Sequence, residues 1–335
     1  MNDTTTLDLP FGVHPLAGKF NDLTPESVLD AVEADGRKCT GRFIILNSYE
    51  NRVYQLELDD ETMVVGKFYR PGRWSKEAIL AEHQFLKELE AVEIPVAMPI
   101  DLGNGETIGL VDGIFYALFK RTGGRNPEEL GKEQIQMLGR LLGRIHNIGA
   151  MAPAPERINL NPTSYGRANL NFLLEHNVIP EDARENFKVT VEALLTRIEP
   201  MFNGIKNIRI HGDCHFGNVL WTPNGATFLD FDDMANGPAI QDIWMLVPDY
   251  DDHGKQQREI LIESYEAFRT FDRAELKLIE PLRALRYIHY ATWIARRWED
   301  RIFKQTFEHF GTTQYWQRET QDLREQIGRI DMLIY

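Results

Sequence analysis

His211-Gly212-Asp213-Cys214-His215-Phe216-Gly217-Asn218, followed twelve residues later by Asp230-Phe231-Asp232-Asp233, is the stretch from which the rest of the chain can be read. Between its two parts lie Val219-Leu220-Trp221, a turn at Pro223-Asn224-Gly225, and Thr227-Phe228-Leu229. Short apolar runs around such a turn predict a β-hairpin. Its strands run antiparallel, so Asn218, just before the first, and Asp230, just after the second, come out at the same end. Two oxygen-bearing side chains delivered side by side suit one hard cation. Asp and Asn are also ordinary turn residues, and it is the joint spacing, with a hairpin between its members, that makes the set specific. In an extended stretch Asp232 points to the same side as Asp230, as part of a second metal site or of a solvated acidic turn. His215 can donate a hydrogen bond at the reaction centre or brace the loop. His211, at the loop's start, reads as structural.

Upstream, the chain is rich in strands. Residues 1–23 carry little pattern; Thr24-Pro25-Glu26 then has the cap, first-turn proline and first-turn acid of a short helix ending near Gly36. Strands are predicted over Arg42–Leu46, Arg52–Leu58 (with Tyr54, Leu56 and Leu58 on one face), Thr62–Tyr69, Ile108–Val111 and Phe115–Phe119. The helix predicted over Ser75–Leu89 places Glu82 on the same stripe as Ile79, Leu86 and Leu89. An unpaired carboxylate there is costly, and Lys67, on the preceding strand, is its natural partner. The turn Asn47-Ser48-Tyr49-Glu50-Asn51 offers small donors that can cover phosphates, with Ser48 and Asn51 the candidates. No GxxxxGK[ST] or GxGxxG run is present.

After Thr122-Gly123-Gly124 the chain turns mainly helical, starting with Glu128–Ile148, whose Ile135, Leu138, Leu142 and Ile145 recur at helical spacing. The organisation is α+β: a strand-rich N-terminal lobe over 24–120 and a larger helical lobe over 121–335, with a connection at Phe119–Arg125 and a cleft expected between them. Fifty-one acidic against 37 basic residues leave a net charge of −14, which disfavours nucleic acid and anionic membranes as partners. Two cysteines do not make a disulfide framework, and neither a signal peptide nor a membrane-spanning run is visible, so a cytoplasmic protein is expected.

His211-Gly212-Asp213-x-His215-x-x-Asn218 with Asp230-Phe231-Asp232 resembles the signature of the aminoglycoside phosphotransferase and choline kinase group. Within that group the chain resembles the bacterial stress response kinase A family. The resemblance lies in Leu46-Asn47-Ser48-Tyr49-Glu50-Asn51-Arg52-Val53-Tyr54, Lys67-Phe68-Tyr69-Arg70-Pro71, Asn236-Gly237-Pro238-Ala239 and Asp242-Ile243-Trp244-Met245. It implies a protein-kinase-like two-lobe fold and a monomeric or nearly monomeric serine/threonine protein kinase of the envelope or oxidative stress response, using ATP and Mg2+ and phosphorylating itself as well as other proteins. Carried onto this chain, Asp213 is the catalytic base, Asn218 and Asp230 bind magnesium, Lys67 (with Glu82) and Ser48 to Asn51 handle ATP, and Asp230 belongs to both chemistry and metal binding.

Eleven residues separate Asp230 from Asp242, too few for a long activation loop, and no Ala-Pro-Glu follows. The same compact arrangement serves kinases of small alcohols, which stands as the alternative. A metal-dependent phosphohydrolase is suggested by His211, Asp213 and His215 but lacks the further His and Asp groups of a dinuclear centre. Asp242 is expected to cap a helix or to receive a bond from the loop. The aromatics of Leu282–Trp298 read as core or as the wall of an acceptor pocket, and Cys214 as a packing residue or a redox-sensitive thiol.

Overall fold

The computed structural model describes residue 20 and residues 23–103, 105–126 and 129–334; the readings at the N-terminus and at Glu128 lie outside them. The Thr24 hydroxyl accepts from Ser27 N and opens α1 (Pro25–Glu33). There follow β1 (Cys39–Leu46), β2 (Arg52–Leu58), β3 (Met63–Phe68), α2 (Lys76–Glu90), β4 (Gly109–Val111) and β5 (Ile114–Lys120). The five strands form one antiparallel sheet in the order β1-β2-β3-β5-β4. β1 begins at Cys39, ahead of the Arg42 read from sequence, because a register shift between Cys39 and Phe43 breaks the alternation that marks a strand. Tyr54, Leu56 and Leu58 do share a face; with Val28 and Val32 of α1 and Phe68, Tyr116 and Leu118 of the sheet they build one core. Ser75 caps α2 by accepting from Ala78 N.

The chain then builds α3 (Lys132–Gly149), a six-residue π-helix (Pro162–Arg167), α4 (Ala168–Glu175), α5 (Glu181–Ile198) and β6 (Ile208–Ile210). The predicted hairpin follows as β7 (Val219–Thr222) and β8 (Gly225–Phe228), and then come β9 (Ala235–Gly237), α6 (Ile240–Leu246), α7 (Asp252–Tyr265), α8 (Ile279–Arg296), α9 (Arg301–Thr306) and α10 (Thr313–Ile334). Two compact units result, one of Met1–Glu129 with Phe216–Asp232, the other of Leu130–His215 with Asp233–Tyr335. The hairpin thus packs with the sheet-bearing unit: Phe228 exchanges hydrogen bonds with Pro95 and Ala97, and Trp221 with Arg125.

In the second unit β6 pairs antiparallel with β9. Its main core joins Phe187, Val191 and Leu194 of α5, Leu285, Ile288 and Ala291 of α8, and Trp316, Leu323 and Ile330 of α10. α3 lies so close to α7 that a Cβ at Gly139 would stand 2.3 Å from Leu261 O, a spacing that glycine alone permits. The antiparallel sheet and the largely helical second unit give the α+β, protein-kinase-like class that the sequence predicts. Among the described residues no helix is long and apolar enough to cross a membrane.

Candidate active site

The hairpin delivers its two ends as the spacing requires. Val219 pairs with Phe228, and Leu229 N donates to Asn218 O at 2.9 Å, so Asn218 and Asp230 emerge beside one another. Asp230 sits in the left-handed region (φ 55°), which costs an L-residue ~1 kcal/mol or more and which Asp tolerates better than most. Its carboxylate is half exposed, with Oδ1 2.8 Å from Lys67 Nζ.

Lys67 lies on β3, opposite Val53 of β2 and Ala117 of β5, and is buried. Glu82 and Asp232 each approach its ammonium to 3.6 Å. Burying an ammonium alone costs several kcal/mol. Here burial disfavours the charge, but the carboxylates of Asp230, Asp232 and Glu82 outweigh it and hold the Lys67 ammonium well above the ordinary lysine range. The pairing of Lys67 with Glu82, itself 1% exposed, is as the helical stripe predicts. Its nearest partner, however, is Asp230.

Asp232 is not exposed on an acidic turn, and its Oδ1, like that of Asp230, faces Lys67 Nζ. It is 2% exposed and accepts from Arg73 Nη1 and, at 3.1 Å, from Asn51 Nδ2. Asn51, predicted to cover phosphates, has its amide committed inside: Oδ1 accepts from Arg70 N at 3.1 Å. Arg70 in turn donates to the carbonyls of Tyr49 and Glu50, both at 3.0 Å, so the turn is clamped from beneath. Ser48 Oγ accepts from Asn51 N at 3.3 Å and remains half-buried on the turn. Arg70 and Arg73 were not singled out from sequence; the signal for them was their place directly after the Lys67 strand.

Asn218 and Asp230 supply oxygen donors only. Among the described residues no three His, Cys, Asp or Glu side chains form a metal cage. Two oxygen ligands with an open face fit a hard divalent cation that fills its shell with water and phosphate oxygens, the habit of Mg2+.

In the second unit, Asp242 supports the Asp213 loop. Fully buried, it accepts from His211 N at 2.7 Å and Gly212 N at 2.9 Å, and His146 Nε2 donates to it at 3.0 Å. The Tyr265 hydroxyl meets His146 Nδ1 at 3.0 Å. Of the two roles read for Asp242, the structure gives it the bond to the loop. Gly212 has φ +87°, and a Cβ there would lie 2.1 Å from Asp233 O, so only glycine fits. Gln241 Nε2 holds the Gly212 carbonyl at 3.2 Å.

On this floor stands Asp213, its side chain 24% exposed. His215 Nε2 lies 3.3 Å from Oδ2, and His215 N donates to Asp213 O at 2.9 Å. Arg286 Nη1, from α8, lies 2.9 Å from Oδ1. Burial pushes the Asp213 carboxyl up, but the His215 bond and the Arg286 charge outweigh it and hold the group well below the usual carboxylate range. It is therefore ionised at neutral pH and can accept a hydrogen bond from a hydroxyl. Cys214 is fully buried, and burial pushes its thiol well up, which makes it a packing residue. The α8 aromatics divide in the same sense: Tyr287 and Trp293 pack on the core, while Tyr290 stacks on Trp293 and is exposed.

The phosphotransferase enzyme family matches residues 44–279. The chain is 40% identical to stress response kinase A of Salmonella typhi and 38% identical to that of Escherichia coli K12, each over 92% of this chain and 93% of the relative. It is equally similar, at 40%, to a Salmonella typhimurium protein named serine/threonine protein kinase RdoA. Among solved structures its fold resembles amicoumacin kinase in complex with AMP-PNP, Ca2+ and Ami (TM-score 0.73, 18% identity, 90% of this chain and 95% of that one). It also resembles the choline kinase LicA of Streptococcus pneumoniae (TM-score 0.61, 15% identity, 90% and 99%). A kinase-type fold, a family match over residues 44–279 and relatives aligned over nearly their whole length leave one assignment: the chain belongs to the phosphotransferase enzyme family, among the stress response kinase A proteins.

Proposed function

We propose that the chain is an ATP- and Mg2+-dependent serine/threonine protein kinase of the bacterial stress response, acting on other proteins and on itself. The observation that carries this reading is the hairpin, which sets Asn218 beside Asp230 and holds Asp230 2.8 Å from the buried Lys67. In this assignment Lys67, kept charged by Glu82, Asp230 and Asp232, binds the nucleotide's phosphates. Asn218 and Asp230 hold Mg2+, which when bound neutralises phosphate charge. The Ser48 turn covers the phosphates, with Asn51 as its internal anchor. Asp213 receives the acceptor hydroxyl's hydrogen bond and takes its proton late in transfer; a carboxylate held so acidic orients better than it abstracts. With no long activation loop, the enzyme is active without prior phosphorylation.

The protein acceptor is supported by the relatives' names. A small-alcohol acceptor is the second reading, favoured by the fold's likeness to kinases of choline and aminopropanol. The net charge of −14 draws basic proteins at long range, an attraction that salt screens. Incubation with labelled ATP and a cell extract separates the two: label is expected on serine or threonine of basic proteins such as histone and on the enzyme itself. Rapid, saturable labelling of a metabolite with none on protein would replace the first reading by the second.

A further inference from the structure

Beyond keeping Asp213 acidic, Arg286 is given no task toward the acceptor in the assignments above. It is half-way along α8, 73 residues beyond Asp213 in sequence, yet its Nη1 stands 2.9 Å from Asp213 Oδ1. Among the described residues its side chain makes one other polar contact, a long one from Nη1 to Met245 Sδ, 3.9 Å. Among the described residues Nε and Nη2 have no hydrogen-bond partner, and the side chain is 39% exposed. The guanidinium is therefore pinned at one corner against the carboxylate that receives the acceptor, while the Nε–Nη2 edge is open. That edge is the one that grips a second carboxylate through two parallel hydrogen bonds.

We propose that Arg286 is a specificity-determining residue that selects acceptor hydroxyls flanked by a carboxylate. The inference rests on the role given to Asp213 above. An ion pair this exposed is weak, so Arg286 can turn part of its fork to an incoming acid without giving up Asp213. A cationic acceptor meets the opposite situation: to present its hydroxyl to Asp213 it must bring a like charge within several ångströms of the guanidinium. At that range and in a half-exposed setting the penalty is roughly ten- to a hundredfold in kcat/KM. The preference is local and coexists with the long-range pull of the −14 field on basic proteins. A serine next to glutamate within an otherwise basic segment satisfies both.

The test uses the purified full chain with Mg·ATP and two matched acceptor sets. One is a serine peptide with Glu, Ala or Lys beside the serine; the other is N-acetylserine against its amide. The parent is expected to favour Glu over Ala by about tenfold, and Lys least. Arg286→Gln should flatten that order, Arg286→Glu should invert it, and Arg286→Lys should restore part of it. If label enters only the small alcohols, the protein-kinase reading fails, yet a carboxylate-over-amide preference that vanishes in Arg286→Gln still upholds the assignment. Arg286→Gln lowering every acceptor by one common factor would overturn it in favour of a role toward the transferred phosphoryl group. A parent without preference, or without transfer to any acidic acceptor, overturns it as well.

Discussion

The surroundings of Lys67 and of Asp213 are opposites in charge. Around Lys67 one ammonium faces three carboxylates, Asp230, Asp232 and Glu82. Around Asp213 one carboxylate faces a guanidinium and an imidazole. In the first, the most exposed of the three acids is Asp230, the residue set beside Asn218; in the second, His215 and Arg286 are both more exposed than the carboxylate between them. The Lys67 cluster thus carries a surplus of acid and presents it at its open edge, whereas at Asp213 the Arg286 guanidinium balances the carboxylate. A surplus of acid marks where a cation is taken up. They differ in support too. The Lys67 cluster is tied side chain to side chain, whereas Asp242 grips the backbone of the Asp213 loop.

Three substitutions test that contrast. The largest effect is expected from Asp213→Ala: transfer should fall ~10²–10⁴-fold while calorimetric affinity for Mg·ATP stays near the parent's, because the nucleotide is assigned to the other cluster. Equal losses of turnover and nucleotide affinity would erase the division of labour. Asp242→Ala comes next. It removes a fully buried acceptor from three donors, His211 N, Gly212 N and His146 Nε2, and should cost about 3–5 kcal/mol in urea unfolding. A loss below ~1 kcal/mol would mean that the loop is held by something else. The smallest effect belongs to Glu82→Gln. Asp230 lies nearer to Lys67 and Asp232 remains, so KM for ATP should rise only about three- to tenfold, the scale of one weakened ion pair. A defect as deep as that of Asp213→Ala would make Glu82 the residue that positions Lys67.

How much of this was legible depends on how local each signal is. The Lys67–Glu82 pair could be read because helical periodicity put an acid on a buried stripe, a conflict with one nearby solution. The neighbouring of Asn218 and Asp230 could be read because a hairpin returns the chain to its starting point. The depth of Asp232 could not: its partners Arg73 and Asn51 are 159 and 181 residues away, and nothing local distinguishes a buried Asp from one on a solvated turn. Asn51 misled for the same reason, since a polar residue in a turn gives no sign of the side it faces. Arg286 stood in plain view in an aromatic-rich helix, but which of that helix's arginines meets the loop is a matter of packing between α8 and β6's exit, invisible to periodicity.

The chain's path has a consequence for how the protein is made. Residues 216–232 belong with the first 129, and 86 residues of the second unit are synthesised before them. A nascent chain that has emerged as far as Glu129 has its sheet strands but lacks Phe228, which bonds to Pro95 and Ala97, and Phe231, which packs edge-on against Phe85 at 5.8 Å. It also lacks Asp230 and Asp232, so that of the three carboxylates around Lys67 only Glu82 is present. The first unit to start is therefore not the first able to finish, and a fragment cut at the obvious boundary would expose the surfaces that the hairpin covers. Biosynthesis places completion of the Lys67-bearing unit under the control of a segment that arrives late, directly after the loop that carries Asp213.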